Sequence, residues 1–210
     1  MKTDGTARSK ARDISSWSPS DQARRDAILR AASAHVRHYG YQKTTVADIA
    51  KTIHLSTAYL YNFFDSKQAI GEAVCTRILS DLMSELDQSV RQITSPSECI
   101  VFIFQYLAEV SIKMFRDDRK IHDLVARSFH EHWTSPTAYN AELLSILKSV
   151  ILRGRETGEF ERKTPLDETC EAVRYTTETF FHPVLLEQNP RNLIDEALMV
   201  ALLVRRSLLC

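Results

Sequence analysis

The segment of residues 43–67, KTTVADIAKTIHLSTAYLYNFFDSK, concentrates side chains that can bind phosphate. It contains threonine, serine and tyrosine hydroxyls, which donate hydrogen bonds to phosphate oxygens, and lysines, which add positive charge. A protein presents donors and cations of this kind to the backbone of a nucleic acid. The chemistry that this segment predicts is therefore nucleic-acid binding, provided that local structure holds these side chains in place.

Two short helices are predicted within this segment. Thr45 and Asp48 have the spacing of a capping box, which indicates that a helix starts at this point. Ser56 is the next N-cap residue, so only residues 53–55 remain to reverse the chain direction, as in a helix-turn-helix. The apolar positions of the first of these helices recur at helical spacing and are Val46, Ile49, Ala50 and Ile53.

A third helix must cover the apolar face that two such short helices share. Residues 21–39 provide it, after a Ser-Pro-Ser-Asp start signal in which proline is tolerated in the first turn. The positions of this helix that we expect to point inward are Ile28, Ala31, Ala32, His35 and Val36. The predicted head is thus a bundle of three helices.

The pattern of residues 40–67 resembles the DNA-binding head of the TetR/AcrR family of one-component bacterial regulators. The matching pattern is Gly-Tyr, two residues, Thr-Thr-Val-x-x-Ile-Ala, and then Ser-x-Ala-Tyr-Leu-Tyr-x-x-Phe-x-Ser-Lys. One position departs from it, because the turn carries His54 where the family usually has glycine. Histidine tolerates a positive φ better than most residues but is strained there.

The resemblance implies a role for each matching residue. Thr44 and Thr45 would contact phosphate at the start of the second helix, and Tyr61 and Lys67 would also bind phosphate. The third helix would face the major groove through residues 56–59. The full set of DNA-binding residues predicted in this way is Thr44, Thr45, Ser56, Thr57, Ala58, Tyr59, Tyr61, Asn62 and Lys67.

The charge distribution supports the same interpretation, although the net charge of the 210-residue chain is zero. Residues 1–70 contain 11 Lys and Arg against 6 Asp and Glu, a net charge of +5, and the rest of the chain has a net charge of −5. A basic head suits a phosphate backbone, and an acidic body suits the side that faces away from it. The basic residues 1–18 are predicted to be disordered, either as a minor-groove arm or as a solvated tail.

The rest of the chain is predicted to be helical, because no window shows the strict alternation of a strand. We therefore expect an all-α fold with three regions: a basic tail (1–18), a helix-turn-helix DNA-binding domain (19–66) and a helical ligand-binding and dimerisation domain (67–210). A long helix that starts after Asp65 or Ser66 connects head and body, and body helices follow at about 97–116, 119–133, 137–157, 168–187 and 191–209.

The last helix predicts a dimer. Residues 197–204 are apolar around the whole circumference, so a surface helix of a monomer would leave half of this area in water. Together with the preceding helix it can form a four-helix interface between two chains, and the family resemblance implies the same pairing. The predicted interface residues are Val173, Thr177, Phe180, Val184, Leu198, Ala201, Leu202 and Arg205.

The body also contains many large residues that are either plain core or the walls of an apolar cavity for a small molecule. Given the resemblance, we predict a cavity whose ligand-binding residues are Phe102, Tyr106, Met114, Phe129, His130, Trp133 and Tyr175. We predict no metal site, because His130 and His132 lie on different faces of a helix and His122 is distant from both.

Enzymatic chemistry is not predicted. The chain has five glycines and contains neither a phosphate-binding glycine motif nor a nucleophile elbow, so we expect no catalytic residue and no cofactor. The four cysteines are widely spaced and predict either buried small hydrophobes or, less simply, a thiol sensor. With no apolar signal segment or membrane span, the expected location is the cytoplasm.

We therefore expect a homodimeric, ligand-responsive transcriptional repressor that binds palindromic operator DNA and is released by a small apolar or amphipathic effector. An activator or a ligand-independent regulator of the same fold remains open from the sequence. So does a helical enzyme or sequestering protein whose basic head is incidental. The sequence identifies neither the effector nor the operator, the regulated genes or the number of dimers on each operator.

Overall fold

The computed structural model describes residues 17–188 and 192–210, and within them the regular secondary structure is helical apart from one isolated bridge between Phe160 and Leu209. This confirms the predicted all-α fold. The predicted basic tail falls almost entirely on residues 1–16, which lie outside the described residues. The described helices are α1 Pro19–Tyr39, α2 Val46–Thr52, α3 Thr57–Leu60, α4 Lys67–Gln92, α5 Pro96–Asp117, α6 Arg119–His130, α7 Thr134–Thr157, α8 Leu166–Phe181, α9 Pro183–Gln188 and α10 Leu193–Leu208.

The chain divides into two compact units, Met1–Val74 and Cys75–Cys210, which we call the head and the body. The division falls inside α4, later in the chain than the predicted boundary between residues 66 and 67. No described helix is both long enough and apolar enough to cross a membrane.

The head is built around the apolar face that α1, α2 and α3 share. Ile28 and Ala32 of α1 and Leu60 of α3 are completely buried, and Ile49 of α2 is nearly so. This confirms the predicted three-helix arrangement. His35 is only half-buried, and its Nε2 atom lies 2.6 Å from the Thr52 hydroxyl, so it connects α1 to α2 at the edge of the core.

The body is organised around α5, which packs against α6, α7, α8, α9 and α10. Its helix starts with the Ser95 side chain as N-cap and Pro96 in the first turn, where the missing amide hydrogen costs nothing. The side chains of Ile100, Ile103, Phe104 and Leu107 are fully buried, because neighbouring helices surround this one.

The predicted helix at residues 168–187 is in fact two helices. α8 ends at Phe181, His182 adopts an extended conformation with ψ 115°, and α9 starts at Pro183. Proline has no amide hydrogen to continue the helix and disfavours helical geometry in the residue before it. The sequence therefore contained the signal for this break, and the apolar periodicity masked it.

The connection after α7 depends on two glycines. Gly158 ends the helix with φ 78°, a left-handed conformation that glycine adopts at little cost. Gly154 lies inside the last turns, where the ring of the buried Phe160 occupies the space that a side chain would need. Phe160 also donates its backbone N–H to the Gly154 carbonyl at 3.0 Å. The turn thus closes back onto its own helix.

Candidate nucleic-acid interface and effector pocket

The start of α2 is held by the predicted capping box. The Thr45 hydroxyl accepts a hydrogen bond from the Asp48 N–H, and the Asp48 carboxylate accepts one from the Thr45 N–H, both at 3.1 Å. Hydrogen bonds from the Thr45 hydroxyl and N–H lower the pKa of Asp48. Thr45 itself remains exposed, so the first turn of α2 has a defined geometry at the protein surface.

The turn between α2 and α3 places His54 in the left-handed region with φ 55°. This confirms the positive φ that the missing family glycine predicts. The turn is closed by the Leu55 N–H, which donates to the Ala50 carbonyl at 2.9 Å. A residue with a Cβ atom is disfavoured by roughly 1–2 kcal/mol in this conformation, so the chain keeps its turn at some cost in stability.

α3 is a single short turn of helix anchored by its apolar residues. Ser56 caps it by accepting a hydrogen bond from the Tyr59 N–H at 3.1 Å, and the chain continues as a turn after Leu60. Because Leu60 and Phe64 are buried, the opposite side is left open to solvent. The predicted groove-facing and neighbouring residues Ser56, Ala58, Tyr61 and Asn62 are exposed, and Thr57 and Tyr59 are half-buried.

A layer of aromatic rings supports α3 from the side, and the sequence pattern did not reveal it. The ring of Phe63 lies 5.3 Å from that of Trp17 and 5.4 Å from that of Tyr59, measured between centroids. The Arg24 guanidinium lies 5.9 Å from the Tyr59 centroid. Trp17 and the N-cap Ser18 therefore belong to the head rather than to the predicted tail, which corrects that boundary. Trp17 is the one aromatic residue before α1, and the sequence thus contained a signal for this contact.

The two predicted phosphate contacts at the ends of the motif differ in accessibility. Lys67 is half-buried, and its ammonium donates to the Gln42 carbonyl at 3.0 Å and lies 4.8 Å from the Tyr41 ring centroid. Thr44 is only 3% exposed, and its hydroxyl donates to the Gly40 carbonyl at 2.9 Å. Thr44 therefore closes the loop after α1 and does not present its side chain to phosphate, which corrects its predicted role.

The body contains a pocket of about 350 Å³ between α6, α7 and α8. Of the predicted ligand-binding residues, Phe129 and Trp133 line it. Aromatic walls come also from Phe181 and Tyr139, whose rings stack at 4.3 Å. The complete lining is Ser128, Phe129, His132, Trp133, Pro136, Thr137, Tyr139, Asn140, Thr177, Glu178, Phe181 and His182.

The other five predicted ligand-binding residues lie elsewhere. Tyr106 donates its hydroxyl to the Leu82 carbonyl at 3.1 Å, and burial raises the pKa of this phenol. Phe102 packs beside Tyr106, with ring centroids 6.0 Å apart. His130 and Tyr175 are exposed on the surface. Met114 lines a much smaller cavity next to His122. Aromatic composition alone does not tell which face of each helix meets the pocket.

The polar side of the pocket was not predicted from the sequence. It includes the side chains of His132, Asn140, Thr177, Glu178 and His182. His132 has φ 54°, and His182 occupies the break before Pro183 with its ring 4.7 Å from that of Phe129. Both histidines are thus placed by irregular backbone between helices, which periodicity does not identify.

Half of the predicted dimer residues are buried within one protomer. Val173, Thr177, Phe180 and Ala201 all face the body core and cannot meet a partner chain. Leu198, Leu202 and Arg205 are half-buried, and the Val184 side chain lies outside the described part of the structure. One apolar side of α10 packs on α5, as the fully buried Ala197 shows. Its other side exposes Met199 by 63% and Leu203 by 67%, and Tyr175 of α8 is exposed by 61%.

Comparisons with known proteins match both units. Residues 28–74 match the family described as bacterial regulatory proteins, tetR family, and residues 96–200 match the tetracyclin repressor-like C-terminal domain. The HTH-type transcriptional repressor KstR2 of Mycolicibacterium smegmatis is 28% identical over 167 residues, which cover 76% of this chain and 78% of that protein. The uncharacterized HTH-type transcriptional regulator YhgD of Bacillus subtilis is 22% identical over 148 residues, 68% of this chain and 74% of that protein.

Solved structures show the same fold. The TetR-family transcriptional repressor FadR of Thermus thermophilus, in complex with lauroyl-CoA, superposes with a TM-score of 0.63 at 24% identity, and covers 89% of this chain and 95% of that one. At this level of identity the similarity shows the fold alone. The matched family and these neighbours consist of transcriptional regulators rather than enzymes.

Proposed function

The chain belongs to the TetR family of bacterial transcriptional regulators, and from that premise we propose that it is a ligand-responsive repressor that binds palindromic operator DNA as a homodimer. The observation that carries the proposal is the exposed side of α3, on a capped helix-turn-helix in a head with a net positive charge. Ser56, Thr57 and Ala58 stand at the start of α3, the part of a recognition helix that reaches base edges.

Base contact and phosphate contact are assigned to different residues. Thr57 and Tyr59 are the side chains that we expect to select sequence, and the aromatic layer of Trp17 and Phe63 limits how Tyr59 can move. Tyr61, Thr45 and Lys67 are exposed or half-buried at the edges of the motif, where we expect them to hold the phosphate backbone. Thr44 is left out of this set because it is buried.

Dimerisation is assigned to the outer side of α10. Met199 and Leu203 are four residues apart, so they lie on the same face of the helix, and each leaves most of its apolar side chain in water. Covering them with the same face of a second chain would form a two-fold interface. Two-fold symmetry would in turn present two α3 helices to half-sites one DNA turn apart, roughly 34–36 Å.

The effector is expected to be a small, partly aromatic molecule with at least one polar group. A pocket of about 350 Å³ suits a compact ligand. Phe129, Trp133 and Phe181 offer flat apolar walls, whereas Asn140 and Glu178 offer hydrogen-bond partners. Glu178 also accepts a hydrogen bond from Arg174 at 2.8 Å, so a ligand donor would compete for, or share, its carboxylate.

Coupling between the pocket and DNA binding is assigned to α7 and α4. Asn140 of α7 lines the pocket, and two residues later Glu142 accepts a hydrogen bond from the Ser80 hydroxyl of α4 at 3.2 Å. α4 is one continuous helix that starts at Lys67, the last residue of the DNA-binding motif. An effector that moves α7 would therefore act on a helix that extends into the head. This coupling requires that the effector binds two conformations of the protein with different affinity.

DNA binding is tested by selecting bound duplexes from random sequence and measuring their affinity at several salt concentrations. We expect a palindromic consensus and a negative slope of log affinity against log salt. Lys67→Ala should weaken binding to all sequences and reduce the slope by about 1, whereas Thr57→Ala should change the preferred bases. Lys113→Ala, in the body, is the matched control and should leave the slope unchanged. No palindrome preference, or equal slopes for Lys67→Ala and the unchanged chain, would contradict the assignment.

Effector control is tested by screening small aromatic molecules for release of the selected duplex. A releasing compound should bind at least tenfold more weakly to Trp133→Ala, because the indole forms one wall of the pocket. Glu142→Ala should keep both DNA affinity and compound affinity but lose most of the release. If Glu142→Ala responds like the unchanged chain, the α7–α4 route is wrong, although the pocket assignment survives.

A further inference from the structure

A cluster of one histidine and two carboxylates lies at the junction of α6 and α9, away from the pocket described above. The Nδ1 atom of His122 is 3.7 Å from the Glu187 Oε1 atom and 3.8 Å from the Asp123 Oδ1 atom. Within the described residues this is the group of histidine, cysteine and acidic side chains whose ligand atoms converge, all within 4.8 Å of one another.

His122 points into this cluster without a hydrogen bond. Its side chain is only 2% exposed, and neither ring nitrogen has a hydrogen-bond partner among the described residues. Distances of 3.7 and 3.8 Å are too long for hydrogen bonds. A buried imidazole with two unpaired nitrogens is costly, since each group has lost water without replacement. A bound ion or molecule that forms a bond with Nδ1 would remove part of this cost.

The geometry points to a binding site for a divalent transition-metal ion of the zinc class, with His122 Nδ1, Asp123 and Glu187 as its protein ligands. Zinc sites with three protein ligands of nitrogen and oxygen type keep a fourth position for water. Metal–ligand bonds of about 2.0–2.2 Å put neighbouring ligand atoms roughly 3.4 Å apart. The three ligand atoms lie within 4.8 Å of one another, so the distance between the two surface carboxylates has to shorten by about 1.4 Å at most. Both carboxylates are partly exposed, which leaves them this freedom and gives an ion access.

The His122 ring is fixed in orientation, as a metal ligand has to be. Its side chain is buried, and the ring makes an edge contact with Phe115, whose centroid is 5.1 Å away.

Arg119 now provides the positive charge that the two carboxylates require. It donates to Asp123 at 3.1 Å and to Glu187 at 2.7 Å, while its guanidinium stacks over the Phe115 ring. Arg119 is about half exposed and can swing into water, so metal and guanidinium are alternative counter-ions for one acidic pair. Removal of Arg119 should therefore strengthen metal binding rather than weaken it.

The site would connect α6, which lines the effector pocket, to α9, which follows directly after the pocket. α6 contributes Ser128 and Phe129 to the pocket, and α9 follows directly on α8 and His182, which also line it. Sequence patterns did not predict this site because Glu187 lies 64 residues after Asp123 and the break at His182 places it beside α6.

The test measures Zn²⁺ binding to the full chain by competition with a coloured chelator, in a Cys210→Ser background because Cys210 is an exposed thiol. Asp123→Asn and Glu187→Gln should each weaken binding tenfold or more, since each removes a ligand from the exposed side and neither disturbs the core. Arg119→Gln should tighten binding. Asp87→Asn is the matched control: Asp87 also pairs with an arginine, at 2.7 Å, and its substitution should have no effect.

A second measurement identifies the ligands directly. Co²⁺ in place of Zn²⁺ should give visible ligand-field bands without thiolate charge transfer, and these bands should be lost in Glu187→Gln. The proposal is overturned if the chain binds no Zn²⁺ more tightly than free carboxylates do. It is also overturned if both carboxylate variants match the unchanged chain, or if Arg119→Gln weakens binding. None of these outcomes depends on DNA binding, so they are separate from the proposed function.

Discussion

Gly154→Ala tests how the body closes its helix α7 onto the following turn. A Cβ atom at this position would lie 2.1 Å from Cδ2 and 2.6 Å from both Cε2 and Cγ of Phe160. Ordinary carbon contacts are about 3.5–4.0 Å, so the ring must move by more than 1 Å. Phe160 is fully buried and its N–H is bonded to the Gly154 carbonyl, so the ring has little room to give way.

The expected loss follows from two opposing effects. Overpacking of a buried site costs roughly 1–3 kcal/mol, whereas alanine is about 1 kcal/mol better than glycine inside a helix. We therefore expect Gly154→Ala to lower the free energy of unfolding by up to about 2 kcal/mol, which corresponds to as much as several degrees in Tm for a chain of this size. Urea unfolding followed by far-ultraviolet circular dichroism, at one fixed protein concentration, measures it.

The same substitution in a Phe160→Ala background separates the clash from other causes. All three atoms that meet the new Cβ are absent there, so Gly154→Ala should become neutral or stabilising by up to about 1 kcal/mol. Gly158→Ala is the control: no described atom lies within 4 Å of its Cβ position, but φ 78° costs about 1–2 kcal/mol in either background. An equal cost of Gly154→Ala with and without the ring would refute the reasoning.

Three further substitutions test the interface and the motif. Leu203→Glu places a charge on the exposed face of α10 and should convert the proposed dimer to monomers in a sedimentation measurement, whereas Leu152→Glu, on α7, should not. If the unchanged chain is itself a monomer, the proposed dimer is wrong. Thr45→Ala removes the α2 cap and should lower the free energy of unfolding, measured by urea titration, by about 1 kcal/mol. An unchanged free energy of unfolding would mean that the capping box does not stabilise the head. His54→Gly relieves the strain of a positive φ but adds conformational freedom to the unfolded chain, so the melting temperature should stay equal or rise. A clear drop in the melting temperature would contradict the strain at this turn.

The head shows how much local signals can predict. The capping box at Thr45 and the N-cap at Ser56 each depend on a few neighbouring residues, and both are present in the structure. The positive φ at His54 was expected from the family resemblance and is also present. These features are local because a helix start or a turn is satisfied by its own backbone hydrogen bonds. The role of Thr44 was not predictable in this way, because its burial depends on how the loop after α1 packs.

The body shows the limit of such signals. Local sequence patterns were enough to predict the all-helical fold, the bounds of most helices and an apolar surface on α10 larger than one core needs. Which face of each helix is buried depends on tertiary packing. The same packing selects the aromatic residues that line the pocket and the side of α10 that is left exposed. Helical periodicity defines a stripe of side chains but not the helix against which it packs. That choice depends on contacts between residues far apart in the chain, as between Glu187 and His122.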